Sequence, residues 1–187
     1  TSSVYGRMAD SSEEAPTNPF SPYGVSKLAA EKLGFAHRDN FGLPFPVLRY
    51  FSVYGPGQRP DMAYHRFLKA ARDNTPITVF GDGEQRRTNT YVDDIVDATI
   101  AAIDRSTPGE IYNISGSESY SLNEVLGMVR EISKAELDIR YEPARPGDQR
   151  ETKGAIDKAR RELGYDPQWS LRDGLSKEWE WLATLAE

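Results

Sequence analysis

Apolar positions along the chain change period several times, and each change marks an element. Residues 1–22 hold no sustained apolar period. Ser, Pro, Asn and Glu dominate them, and they read as a strand end followed by a loop. From Tyr23 to about Asn40, Val25, Leu28, Ala29, Leu33 and Phe35 recur at broadly helical spacing. Pro22 suits the first helical position, and Gly42 and Pro44 stop the helix. Residues 45–51 are an apolar and aromatic run of the kind that forms a buried strand. A Gly-Pro loop over residues 55–60, a helix over 63–74 and a short strand over 77–80 follow, the last ending in the Gly81-Asp-Gly83 turn.

The second half alternates in the same way. Residues 90–92 lead into a helix that Asp93 or Asp94 can cap, carrying Ile95, Val96, Ala98, Ile100 and Ile103. A strand is predicted over 110–114. Ser121 with Glu124 three residues later forms a capping box, opening a helix that runs to about Lys134. A strand near 138–141, a basic helix over 155–163 and a last helix over 171–185 complete the pattern. Strands alternating with helices predict an α/β architecture.

Composition narrows the chemistry. The 187 residues carry a net charge of −6, which argues against nucleic-acid binding, since that needs a basic face. No apolar run approaches the length of a membrane-spanning helix. There is no cysteine, so thiolate chemistry and Cys-based metal sites are excluded, and His37 and His65 stand without a carboxylate constellation. A cytoplasmic protein is the default expectation. Of 23 basic residues 16 are Arg, the side chain suited to forked contacts with phosphate.

The strongest local signal is Tyr23-Gly-Val-Ser-Lys27. Four residues apart on a helix, the phenol and the ammonium share one face. An ammonium beside a phenol favours the phenolate, turning a poor base into one able to take a hydroxyl proton. Taken alone, the pair also reads as two solvated side chains.

The surroundings extend the signal. Thr1-Ser-Ser-Val-Tyr-Gly6, Ser21-Pro-Tyr-Gly-Val-Ser-Lys-Leu-Ala-Ala-Glu31, Arg49-Tyr-Phe-Ser-Val-Tyr-Gly-Pro-Gly-Gln-Arg-Pro-Asp-Met62, Val79-Phe-Gly-Asp-Gly83, Thr90-Tyr-Val-Asp-Asp94, Arg145-Pro-Gly-Asp148 and Leu163-Gly-Tyr165 occur in that order. Together they resemble the extended short-chain dehydrogenase/reductases of the nucleotide-sugar epimerase and dehydratase group. The resemblance implies an NAD-dependent 4-epimerase of UDP-sugars. In it Tyr23 is the base, Thr1 binds the hydroxyl being oxidised, and Tyr23, Lys27 and Tyr50 border the cofactor. It also implies substrate contacts from Ser2, Ser3, Ser52 and Arg59. Arg87 and Arg145 would pair with the diphosphate, Asp148 would approach the ribose, and Thr78 and Phe80 would hold the base. Read without the resemblance, Tyr50 and Phe80 are core aromatics and Arg87 and Arg145 are loop charges.

Ser52 replaces the Asn that many UDP-glucose 4-epimerases carry after Arg-Tyr-Phe, and with Arg59 it resembles the branch acting on UDP-glucuronate. Thr88-Asn89 departs from the usual Asp-Phe after the diphosphate arginine. A sugar-nucleotide dehydratase or decarboxylase is the rival enzyme, but Ser2 and Ser3 offer no acid where elimination needs one. A non-catalytic nucleotide-sugar-binding remnant is the rival outside enzymology. The chain contains no Gly-rich strand–turn–helix for a dinucleotide pyrophosphate. The expectation is therefore a C-terminal fragment missing the N-terminal Rossmann half, from a protein that is a homodimer when complete. Residues 1–51 would be the remnant of the Rossmann-type parallel-sheet domain. Residues 52–187 would be mainly a small α/β substrate domain, with segments returning to the Rossmann part.

Overall fold

The computed structural model describes residues 1–7, 10–144 and 150–185, with the backbone alone at residue 10. The order is β1 (Asp10–Ser11), α1 (Pro22–Phe41), β2 (Val47–Tyr50), β3 (Val53–Tyr54), α2 (Ala63–Asp73), β4 (Ile77–Phe80), β5 (Arg86–Thr88), β6 (Thr90–Tyr91), α3 (Val92–Arg105) and β7 (Ile111–Ile114). It continues through β8 (Ser119–Ser121), α4 (Leu122–Ser133), β9 (Ile139–Glu142), β10 (Glu151–Gly154), α5 (Asp157–Leu163) and α6 (Leu171–Thr184). The α/β class is as predicted. Among the described residues no helix is long and apolar enough to cross a membrane.

Most pairing is parallel. β2 lies against β7 with Val47 opposite Ile111 and Tyr50 opposite Ile114, β3 lies against β6, and β4 lies against β9. A four-stranded sheet runs β1-β10-β5-β8, parallel except at its last pair. Its strands are short and polar, and none shows the alternation from which a strand is predicted.

Three apolar clusters hold these pieces. The largest joins α2, β4, α4 and α6 through Leu68, Val79, Val129 and Leu175, with Ile139 of β9 packed against it. A second joins β7 to α3 and α5 through Tyr112, Ile114, Ile95, Ala98, Ala159 and Leu163, with Leu48 and Tyr50 of β2 against it. A small third one, Val4, Tyr5 and Phe51, sits under the chain start with Leu28 of α1. Each fully buried aliphatic side chain contributes about 1.5–3 kcal/mol.

Two expectations are corrected. Residues 2–5 form a 3₁₀ turn rather than a strand end, because the Thr1 hydroxyl accepts the Ser3 N–H at 3.3 Å and closes the chain locally. Helix α3 starts at Val92 without a side-chain cap. Asp94 faces away from its own helix end, accepting the N–H groups of Gln168 at 2.9 Å and Trp169 at 3.4 Å. The capping box of α4 is present in both directions.

Candidate functional site

The site begins with how α1 is seated. Ser21 accepts the Gly24 N–H at 3.0 Å, and Pro22 occupies the first helical position. The side of α1 that faces the protein is not an apolar stripe: its buried residues are Gly24, Glu31 and Gly34, with Leu28 partly buried against the third cluster, while Val25 and Leu33 lie exposed. Gly24 is there for space. A Cβ on it would stand 2.7 Å from the Ser3 carbonyl oxygen and 2.9 Å from the Pro19 Cβ. The helix therefore rests directly on the Ser2–Tyr5 turn, and Tyr23 lines the same cleft as Thr1, Ser2 and Ser3.

One turn beyond Lys27, Glu31 fixes the rotation of the helix. Its carboxylate accepts Arg49 Nε at 3.1 Å and Nη2 at 2.7 Å. Arg49 Nη1 donates to the Tyr5 hydroxyl at 2.8 Å, which in turn donates to Asn113 Oδ1 at 2.7 Å. Asn113 Nδ2 donates to the Ser11 carbonyl at 2.9 Å. This buried chain ties α1, β2, the 3₁₀ turn, β7 and β1 together. Burial pushes the Tyr5 phenol upward, against the opposing pull of Arg49 and Asn113. Arg49 loses hydration, but the bonds to Glu31 and Tyr5 outweigh that loss and raise its pKa.

Thr1, Ser2, Ser3, Tyr23, Lys27, Tyr50, Ser52 and Arg59 all border one cleft of about 950 Å³. Tyr23 is 54% exposed, and Lys27 Nζ stands 5.6 Å from the centre of its ring. The Tyr50 hydroxyl is 2.8 Å from Thr99 Oγ1 on α3, so its polar tip is tied into the second cluster. Arg59 forms a forked pair with Asp61 at 3.0 and 2.8 Å. A smaller pocket of about 170 Å³ adjoins the cleft, sharing Ser2, Ser3 and Ser52 and adding Ser11, Arg87 and Thr152.

Other predicted residues lie elsewhere. Thr78 and Phe80 sit on β4 opposite Arg140 and Glu142 and border neither cavity. Arg145 and Asp148 lie outside the described residues. Sequence reasoning missed Ser11, Asn113 and Thr152, and held Tyr5 only as part of a quoted motif. Glu31 and Arg49 stood inside quoted motifs, but their pairing across 18 positions had no local signal.

The far wall of the cleft is the loop after β3. Gly55 takes φ +132°, and its N–H donates to Glu178 Oε2 on α6 at 3.0 Å. Gln58 locks the same loop, with its N–H on the Gly55 carbonyl at 3.0 Å and Nε2 on the Val53 carbonyl at 2.9 Å. Burial pushes the Glu178 carboxyl up to about 7, against the opposing pull of the Gly55 N–H.

The model of the NAD dependent epimerase/dehydratase family matches residues 1–115. An uncharacterised UDP-glucose epimerase of Bacillus subtilis is 42% identical over 187 residues, covering 99% of this chain and 59% of its own length. A UDP-glucuronate 4-epimerase of Thermodesulfobacterium geofontis is 35% identical over 97% of this chain and 57% of its own. Among solved structures, the UDP-glucuronic acid 4-epimerase of Bacillus cereus in complex with UDP-glucuronic acid and NAD superposes with a TM-score of 0.94 at 42% identity. It covers 100% of this chain and 60% of its own. The chain thus spans about three-fifths of the length of these proteins.

Proposed function

The chain belongs to the NAD-dependent epimerase/dehydratase family, and on that footing we propose that it is the substrate-side part of a UDP-sugar 4-epimerase acting on UDP-glucuronate. The observation that carries this reading is one cleft bordered by Thr1, Tyr23 and Lys27 and continued past three serines to Arg87. The cleft suits the nicotinamide end of NAD, because Lys27 offers an ammonium donor, and Tyr23 an adjacent phenolic oxygen, to a ribose diol. When bound, NAD supplies the acceptor and donor of hydride.

The chain's own residues do the rest. Thr1 orients the sugar hydroxyl, and Tyr23 takes its proton and later returns it. Lys27 holds the ribose and supplies positive charge beside the phenol. Arg87 bonds the diphosphate as a guanidinium fork, aided by Arg145, with Asp148 near the ribose and Thr78 and Phe80 toward the base. Ser2, Ser3 and Ser52 meet the sugar ring. Ser52 and the glucuronate-acting relatives favour a uronate over a neutral hexose. Arg59, already paired with Asp61, steers the sugar's carboxylate from the rim.

Residues 1–51 are in this reading the remnant of the NAD-binding domain, and residues 52–187 are mainly the substrate domain. The second apolar cluster supports the return of α3, β7 and α5 to the first part. The complete protein is a homodimer using α1, whose Val25, Leu33 and Phe41 lie exposed. Incubating the completed enzyme with a panel of UDP-sugars and analysing the products tests the assignment. UDP-galacturonate from UDP-glucuronate is the expected product, and efficient UDP-galactose formation with no uronate turnover would overturn the choice of substrate.

A further inference from the structure

Glu178 lies far along the chain from Tyr23 and is 0% exposed. Its Oε2 accepts the Gly55 N–H at 3.0 Å, and its Oε1 has no hydrogen-bond partner among the described residues. An amide acceptor would satisfy Gly55 without burying a charge, and burying a charge is costly. A carboxyl group here therefore does something that a glutamine would not.

The backbone of Gly55 has no freedom to compensate. A Cβ at this position would stand 2.8 Å from Val92 Cγ1 and 3.0 Å from the Tyr91 ring, and its φ lies where L side chains are strained. The amide is consequently aimed at α6 and the carbonyl at Gln58. Residues 55–59 then line the cleft.

We propose that Glu178 is a positioning residue for the cleft wall, gripping residues 55–59 through the Gly55 N–H when ionised and relaxing that grip when protonated. A hydrogen bond to a charged acceptor is roughly twice as strong as one to a neutral acceptor. The carboxyl is poised for this, since burial brings it up to about 7. The groups facing it are the phenols of Tyr54 on β3, Tyr64 on α2 and Tyr91 on β6, raised first by burial and further by the Glu178 charge, and all neutral near pH 7. On neighbouring elements, Asp94 engages the Gln168 and Trp169 amides, and His65 packs on Trp181. On its own helix, Lys177 is paired with Glu180.

The inference deepens the epimerase reading, because the wall so held belongs to the proposed sugar-nucleotide cleft. Its test is independent of turnover. In the isotopically labelled chain, the Gly55 amide resonance and the Glu178 side-chain carboxyl carbon are followed by NMR across the neutral range. The two should titrate together, and exchange protection of the Gly55 amide should rise several-fold through the same interval. In Glu178→Gln the Gly55 titration should flatten while amides of the third apolar cluster stay in place. A Gly55 amide that does not move with Glu178 in the wild-type chain, or that moves equally in Glu178→Gln, overturns the proposal. Should that variant not fold, the wild-type co-titration decides the matter alone.

Discussion

Glu31 and Arg49 meet as a two-pronged ion pair with both side chains buried, although they stand 18 positions apart on a helix and a strand. The pair replaces the apolar stripe that α1 lacks on its inner face. Breaking one half leaves an uncompensated buried charge, which costs about 3–5 kcal/mol. Arg49→Met should therefore lower the urea-unfolding free energy by that much. Adding Glu31→Leu to it should restore part of the loss although Glu31→Leu alone destabilises, an outcome that no pair of independent sites produces.

The Glu178 carboxyl, raised to about 7 in the folded chain, gives stability an unusual direction with pH. Between the ordinary glutamate range and pH 7 the folded state holds a proton that the unfolded state has released. Stability is thus full below the ordinary glutamate pKa and falls as pH rises through 7. The difference amounts to on the order of 3 kcal/mol at pH 8. Glu178→Gln should be close to neutral at pH 5 and clearly stabilising at pH 8, as read by thermal melts at both pH values.

Tyr23→Phe in the completed enzyme should reduce turnover about a hundred- to ten-thousand-fold, the range for removing a general acid–base group. Sugar-nucleotide affinity should change little, since Arg87 lies in the adjoining pocket. Stopped-time product analysis beside a binding titration separates the two effects. Near-normal turnover would refute the role of Tyr23.

Gly24→Ala places a methyl group 2.7 Å from the Ser3 carbonyl oxygen, and that backbone has little room to retreat. Overpacking of this kind costs about 1–3 kcal/mol. The variant should fold, melt lower than wild type and, in the completed enzyme, lose turnover because the helix is pushed off the Ser2–Tyr5 turn.

The 187-residue chain by itself should show no micromolar binding of NAD in a calorimetric titration, because it holds no Gly-rich turn for the pyrophosphate. Joined to a half that supplies one, it should bind.

The helices and the strands β2, β4 and β7 were legible as elements, but the apolar period did not always mark the buried face: Val25 and Leu33 of α1 and Val96, Ile100 and Ile103 of α3 are exposed. Ile95 and Ala98 do fall on the buried face of the helix they were read from, and the helix read from its Ser121–Glu124 capping box buries Val125, Leu126 and Val129. The strands β5, β8 and β10 were not legible, because they carry no apolar alternation and are defined by pairing across distant positions, Arg86 with Glu151 and Thr88 with Ser119. In the site, the motif residues around Tyr23, Lys27 and Ser52 were visible as short strings. The groups that orient them were not, since Glu31–Arg49, Tyr5–Asn113 and Gly55–Glu178 are contacts between distant positions.

Among the described residues the two cavities share Ser2, Ser3 and Ser52, so a ligand reaching from Tyr23 to Arg87 would pass these three serines. A hydroxyl both donates and accepts, and its hydrogen turns to suit what lies against it. Such a crossing is chemically ambidextrous: the same three side chains can meet a carboxylate by donating or a neutral alcohol by exchanging roles. In the proposed reading, the bias toward a uronate assigned to Ser52 would then be open to change through neighbouring substitutions, with no change in net charge and no rebuilding of the scaffold beneath.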